Sequence, residues 1–232
     1  MPSKNEDKIY IENSYYHLYN RGVEKRTIFQ DEKDYATFLS YIKAYLLPKE
    51  EKTLRLKLAD PKLPPREKDK VLRLLRLNNF NKQLTLVAYC LMTNHFHLLI
   101  YQTEASTIDS FMNSLITRYS MYFNKKYKRV GPLFQGTYKG LLVDTDEQLL
   151  HLSRYIHVQA IVNSQGETKQ RSQPSSYPNY LGRISQEWVK PDRVLEFFSN
   201  TSNKSKEYIS YDEFIHGSNN ESESILHDLL LD

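Results

Sequence analysis

The sequence predicts an α+β fold, a ferredoxin- or RRM-like antiparallel sheet with helices packed on one face, followed by a C-terminal extension. Three observations predict it. Segments of β character and of helical spacing alternate as strand, helix, strand, strand, helix, strand, helix, an order that an antiparallel sheet with helices accommodates economically. The 232 residues, 40% hydrophobic and 26% charged, suffice for one generous domain. Composition then shifts: residues 184–232 carry a balance of −6, whereas the chain before them carries +10. The expected organisation is a main domain over residues 9–183, interrupted by a charged insertion at about 49–82, and an acidic, partly flexible extension over 184–232.

Residues 9–20 (IYIENSYYHLYN) are rich in β-branched and aromatic side chains and read as a strand, closed by a turn at Arg21-Gly22. From Asp31, the residues Tyr35, Phe38, Leu39, Ile42 and Leu46 repeat at three-to-four spacing and predict a helix that Pro48 ends. Residues 49–82 hold 11 basic and 5 acidic residues, with two proline-containing breaks, and read as an insertion carrying one short helix near Val71 to Leu77. Residues 84–91 (LTLVAYCL) and 95–101 (HFHLLIY) are apolar runs separated by Met92-Thr93-Asn94, two strands and a tight turn. Ile108, Phe111, Met112, Leu115, Ile116, Tyr119 and Phe123 form a helical stripe over 107–126. Residues 139–144 (KGLLVD) read as the last strand, and Thr145 opens a capping box with Gln148 for a helix to about Val162. Beyond it the chain turns polar through Ser164-Gln165-Gly166 and Pro174-Ser175-Ser176-Tyr177, with one short helix expected at 192–198, an aromatic stretch at 208–215, and a flexible piece at 218–224.

Composition excludes several classes. No apolar run reaches the ~18–20 residues of a membrane span, and the polar start MPSKNEDKIY carries no secretory pattern, so a soluble cytoplasmic protein is expected. A single cysteine, Cys90, excludes a disulfide framework and a multi-cysteine zinc site, and its apolar strand makes it a core residue. The net charge of +4 is concentrated. Between residues 118 and 139 stand Arg118, Lys125, Lys126, Lys128, Arg129 and Lys139 with no acid, interleaved with Tyr119, Tyr122, Phe123, Tyr127, Phe134 and Tyr138. Cations for phosphates beside rings for bases suit a single-stranded nucleic acid. A solvated helix face with core aromatics would give the same pattern.

Two groups of residues carry chemistry. Alternation along a strand puts His95, His97, Leu99 and Tyr101 on one face and Phe96, Leu98 and Ile100 on the other. Paired imidazoles can act as two ligands of one divalent metal, or can be ordinary hydrogen-bonding histidines. In the last helix Tyr155 and Gln159 lie one turn apart on one face, with His151 a turn earlier, while His157 points elsewhere. A tyrosine phenolate can attack a phosphodiester and form a covalent phosphotyrosine. Its pKa of ~10 makes it a poor nucleophile at neutral pH unless a Lewis acid assists.

At this point the chain resembles a known family. NHFHLLI (residues 94–100) is similar to the His-hydrophobic-His motif of HUH endonucleases, in particular of insertion-sequence 200-like tyrosine transposases, and RYIHVQ (154–159) to their tyrosine motif. Residues 16–35, 131–144 and 173–182 resemble the REP-associated tyrosine transposase branch, with Ser175, Ser176 and Tyr177 among the matching residues. The resemblance implies Tyr155 as nucleophile and His95, His97 and Gln159 as ligands of Mg²⁺ or Mn²⁺. It further implies a homodimer that cleaves and rejoins single-stranded, REP-like hairpin DNA through a 5′-phosphotyrosine, in DNA transposition, and that associates with the nucleoid when bound to DNA. Two departures stand out: Gln159-Ala160 replaces the branch's usual Asn-Pro, and the insertion has no counterpart.

Candidate DNA contacts are Arg21, Arg118, Lys125, Lys126, Arg129, Lys139 and Arg154 for phosphates, and Asn20 and Gln135 for base edges. Tyr119 is a rival nucleophile, although its place in a helical stripe favours packing. Two other functions share these features: a rolling-circle replication initiator or relaxase of the same chemistry, and a non-catalytic RRM-like module. The latter predicts aromatic residues on the sheet face of His95 and His97 and no dependence on metal.

Overall fold

The computed structural model describes residues 10–161, 173–199, 210–217 and 225–226. Four strands, β1 (Ser14–Arg21), β2 (Leu84–Leu91), β3 (His95–Gln102) and β4 (Lys139–Val143), form one sheet in the order β2-β3-β1-β4, with every neighbouring pair antiparallel. Helix α1 (Glu32–Leu46) joins β1 to β2, and α4 (Thr107–Lys126) joins β3 to β4. The expected ferredoxin-like α+β arrangement is present. Strand β1 starts later than the sequence suggests; of that expected strand, residue 9 lies outside the described residues.

Period-two alternation decides which side chains reach which layer. Tyr16, Leu18, Phe96, Leu98 and Ile100 join Phe38, Ile42 and Tyr45 of α1 and Phe111, Leu115 and Tyr119 of α4 in one core. Helix α1 begins at Asp31, whose carboxylate accepts the Asp34 N–H at 3.0 Å, and ends before Pro48. At the edge of this core the fully buried carboxylate of Asp34 accepts from Lys126 Nζ (2.7 Å), Tyr122 (3.0 Å), Tyr127 (2.8 Å) and the Gln30 N–H (2.9 Å).

The opposite face is covered as well. Helix α5 (Asp146–Ile161) lays Leu149, Leu152, Ile156 and Ala160 against Val87, Ala88, Cys90 and Leu99. The expectation of helices on one face holds for α1 and α4, and α5 adds a second layer. The reason is in β2, which is apolar on both sides and so demands two covers. A bulge between Leu86 and Ala88 turns two successive residues, Val87 and Ala88, toward α5. Thr145 and Gln148 start α5 as expected, Thr145 Oγ1 accepting the Gln148 N–H and Gln148 Oε1 accepting that of Asp144. Its expected last residue, Val162, lies outside the described residues, as do Ser164-Gln165-Gly166 and residues 218–224.

The charged segment holds two helices rather than one, α2 (Glu51–Ala59) and α3 (Pro65–Arg76), packed on each other. It is moored where it leaves and rejoins the domain. Lys49 Nζ donates to the carbonyls of Leu75 and Leu77, while the amides of Asn79 and Asn81 donate to Leu47 O (2.7 Å) and Leu46 O (2.8 Å). After α6 (Tyr177–Tyr180), α7 (Asp192–Leu195) and a 3-10 turn at Glu196–Phe198 occupy the span where one helix was expected. With α8 (Tyr211–His216) they bury Val194, Phe197, Tyr211, Phe214 and Ile215 in the core around α5.

Candidate active site

The site lies on the α5 side of the sheet, at the end where β1 stops and β3 starts. Register pairs Arg21 with His95, Tyr19 with His97 and His17 with Leu99, so His17, Tyr19, Arg21, His95 and His97 share a face. The turn after β1 fits only glycine. A Cβ on Gly22 would stand 2.2 Å from the Arg26 carbonyl oxygen, and the Gly22 N–H donates to Asn94 O at 2.8 Å, tying this turn to the start of β3.

His95 and His97 stand edge to face with ring centroids 5.0 Å apart. The Tyr155 ring lies 5.5 Å from that of His97 and 6.3 Å from that of His17, within one chain. Helix α5 thus delivers a phenol ring to the paired imidazoles. Gln159 follows one turn later on α5, half-buried like Tyr155. His151 instead packs edge to face on Phe214, 5.4 Å away, on the flank facing α8.

Each imidazole of β3 is held through Nδ1: that of His95 lies 2.6 Å from Asn94 Oδ1 and that of His97 lies 2.9 Å from His17 Nε2. The amide oxygen of Asn94 can only accept, so His95 carries its proton on Nδ1. His97 is fully buried, and its Nε2 has no hydrogen-bond partner. Burial, with His17, His95 and Arg21 nearby, pushes its pKa well below that of an ordinary histidine and keeps it neutral. A buried neutral imidazole with an orphaned nitrogen matches the chemistry of a metal ligand. Among the described residues no group of three or more His, Cys, Asp or Glu side chains is disposed to hold a metal ion. Gln159, the third ligand that the family resemblance implies, is an amide and falls outside those residue types.

The same face carries Tyr15, Tyr19 and Tyr101, all half-buried, with the Tyr15 and Tyr101 rings 4.9 Å apart. Tyr119 is the opposite case. It is buried in the other core and donates to Ile28 O at 2.6 Å, and burial drives its pKa far up, which disqualifies it as nucleophile.

The candidate DNA contacts divide. Arg21 is half-buried beside His95, while Lys125, Gln135 and Lys139 are exposed, Lys139 paired with Tyr19 at the start of β4. The others are committed within the fold. Arg154 is 3% exposed and donates to the carbonyls of Phe214 (2.6 Å), Ile215 (3.3 Å) and Gly217. Lys126 is bonded to Asp31 and Asp34, and Arg129 bonds Asn124 Oδ1 at 2.8 Å and reaches Pro132 O at 3.4 Å. The Arg118 guanidinium lies 3.7 Å over the Tyr41 ring. Asn20 is 4% exposed, its amide oxygen accepting the Arg21 N–H. All five make contacts within the fold, and the partners of Arg154, Lys126 and Arg118 lie far along the chain, where local charge counting cannot see them.

Sequence reasoning missed His17, although its parity with Tyr19 and Arg21 on β1 was a usable signal. It also gave no role to Ser176, whose hydroxyl accepts the Tyr89 N–H at 2.8 Å and lies 2.7 Å from His157 Nε2. His157 bonds the Tyr211 hydroxyl through Nδ1 at 2.7 Å, so this network fastens α5 to β2 and to α8.

Comparison with known proteins bears on this site. No curated protein matches the chain. Among solved structures, the chain is similar to a REP-associated tyrosine transposase bound to a REP hairpin, with 9% identity and a TM-score of 0.46 over 81% of this chain and 97% of that one. It is also similar to a candidate transposase from Deinococcus radiodurans R1, with 17% identity and a TM-score of 0.27 over 66% and 95%. The family described as IS200-like transposase matches residues 65–159. The matched segment contains the paired histidines of β3 and the tyrosine of α5, so the similarity to the IS200-like transposases falls on the same residues as the sequence motifs.

Proposed function

We propose that the protein is a metal-dependent, single-strand-specific DNA endonuclease and strand transferase that acts in DNA transposition on hairpin DNA of the REP kind. The observation that carries this reading is the placement of the Tyr155 ring 5.5 Å from His97 and next to the His95–His97 pair. The Tyr155 oxygen attacks the phosphorus in line and gives up its proton. The bond from phosphorus to the departing 3′ sugar oxygen breaks, that oxygen takes a proton, and a 5′-phosphotyrosine remains. Attack by a 3′-hydroxyl on the same phosphorus reverses the process, so joining needs no nucleotide cofactor.

His95 and His97, with Gln159, would hold Mg²⁺ or Mn²⁺, which supplies Lewis-acid polarisation of the scissile phosphate. The chain's own contribution is placement. Asn94 and His17 orient the two imidazoles, α5 and its buried anchors fix the phenol, and the cover of α5 excludes water from one side of the pocket. Arg21 and Lys139, beside the histidines on the same face, would take flanking phosphates, with the exposed Gln135, whose N–H donates to Arg21 O, next to them.

A second reading, a binding module without catalysis, has the half-buried Tyr15–Tyr101 pair in its favour, because rings that keep part of a face open on a sheet can stack bases. Incubation with a labelled hairpin oligonucleotide and Mn²⁺, followed by denaturing electrophoresis, separates the two. A covalent adduct that forms with metal and not with EDTA supports the enzyme. Retention of the oligonucleotide with no adduct supports the module.

A further inference from the structure

We propose that His17 is a positioning residue of this site, one that holds His97 in its Nδ1–H form so that Nε2 presents a lone pair. This rests on the reading of His97 as a metal ligand for its purpose, though not for its geometry. His17 is fully buried and lies outside the segment that matches the family. Its ring is nearly parallel to that of His97, with centroids 5.1 Å apart and an interplanar angle of 19°.

The 2.9 Å contact joins His17 Nε2 to His97 Nδ1, so one neutral ring donates and the other accepts. If His17 donated, His97 would carry its proton on Nε2, the atom that is buried without a partner. A buried N–H with no acceptor is among the rarest features of folded proteins, whereas an unfilled acceptor is tolerated better. His97 therefore donates from Nδ1 to His17 Nε2. Asn94 does the same for His95 from the other side. Both rings of β3 then present Nε2 alike, one set by an amide of the adjoining turn and the other by an imidazole from the neighbouring strand. The partner of a ligating imidazole's second nitrogen fixes its tautomer and its orientation.

The test combines nitrogen NMR of ¹⁵N-histidine-labelled full-length protein without metal and Mn²⁺ binding by EPR. Wild type should show His97 protonated at Nδ1 and bare at Nε2. His17→Leu removes the acceptor and should move the proton to Nε2 or mix the two forms. It should also weaken Mn²⁺ binding on the order of 10- to 100-fold. His17→Gln keeps an oxygen that can accept and should restore both readouts toward wild type, a rescue that a purely space-filling role would not give. Circular dichroism confirms that each variant is folded. An Nε2-protonated His97 in wild type overturns the proposal, as does a His17→Leu protein with unchanged tautomer and affinity. If the tautomers behave as stated while wild type binds no Mn²⁺, the metal reading of the site falls and the assignment of His17 stands.

Discussion

Replacing Arg154 with Leu tests whether the cation beside the candidate nucleophile serves the fold or the substrate. Its guanidinium is 3% exposed and donates to three main-chain carbonyls, those of Phe214, Ile215 and Gly217, at and beyond the end of α8. A hydrogen bond from a charged donor contributes about 1.5–3 kcal/mol, and such bonds within one network do not add fully. Leu fills part of the volume but leaves the carbonyls without their donor. Each buried carbonyl left without its donor costs about 1–3 kcal/mol, and with incomplete additivity the expected loss is about 3–5 kcal/mol. Urea denaturation measures it. If Arg154 instead held a phosphate, stability would scarcely change, while the salt dependence of hairpin binding would fall by about one unit of slope. Anisotropy titrations with a labelled hairpin across salt concentrations supply that second number. Unchanged stability together with a reduced salt slope would refute the assignment.

Other perturbations separate chemistry from folding. Asp34→Asn strips the charge from a carboxylate that is fully buried and bonded to Lys126, Tyr122 and Tyr127, and should cost about 3 kcal/mol in the same denaturation assay. Burial lowers the His157 pKa to about 3, so the unfolded chain, with an ordinary histidine, binds the extra proton between pH 6.5 and 3. The stability that this depressed pKa contributes is complete above pH 6.5 and is lost as pH falls through that window, by about 1.4 kcal/mol per pH unit, and His157→Asn should reduce the slope by one proton. Tyr155→Phe should abolish the covalent adduct while hairpin binding persists, which electrophoresis and anisotropy report side by side. EDTA should stop adduct formation in wild type, and added Mn²⁺ should restore it.

What the sequence disclosed was local and periodic. The stripe from Ile108 to Phe123 predicted α4 to the residue, and alternation from His95 to Tyr101 placed both histidines on one face. The signal failed where partners are distant. Nothing near Arg154 announces three carbonyls sixty residues on, and nothing near His17 announces an imidazole from another strand. The second layer was hinted at only by the nearly continuous apolar run of β2, broken at Thr85 alone, since a strand buried on both faces loses the alternation that would tell its sides apart. In α2 the every-other-residue spacing of Leu54, Leu56 and Leu58 disguised a helix, and Leu56 is left 68% exposed.

The central claim is that the oxygen of Tyr155 and the paired imidazoles act on the same phosphate. Proteolysis and mass spectrometry of protein incubated with a hairpin oligonucleotide and Mn²⁺ test it most directly. The account predicts a nucleotide linked through its 5′-phosphate to the peptide that contains Tyr155, absent when His97 is replaced by Ala. A nucleotide attached to another residue, or a Tyr155 adduct that forms equally well without His97, contradicts it.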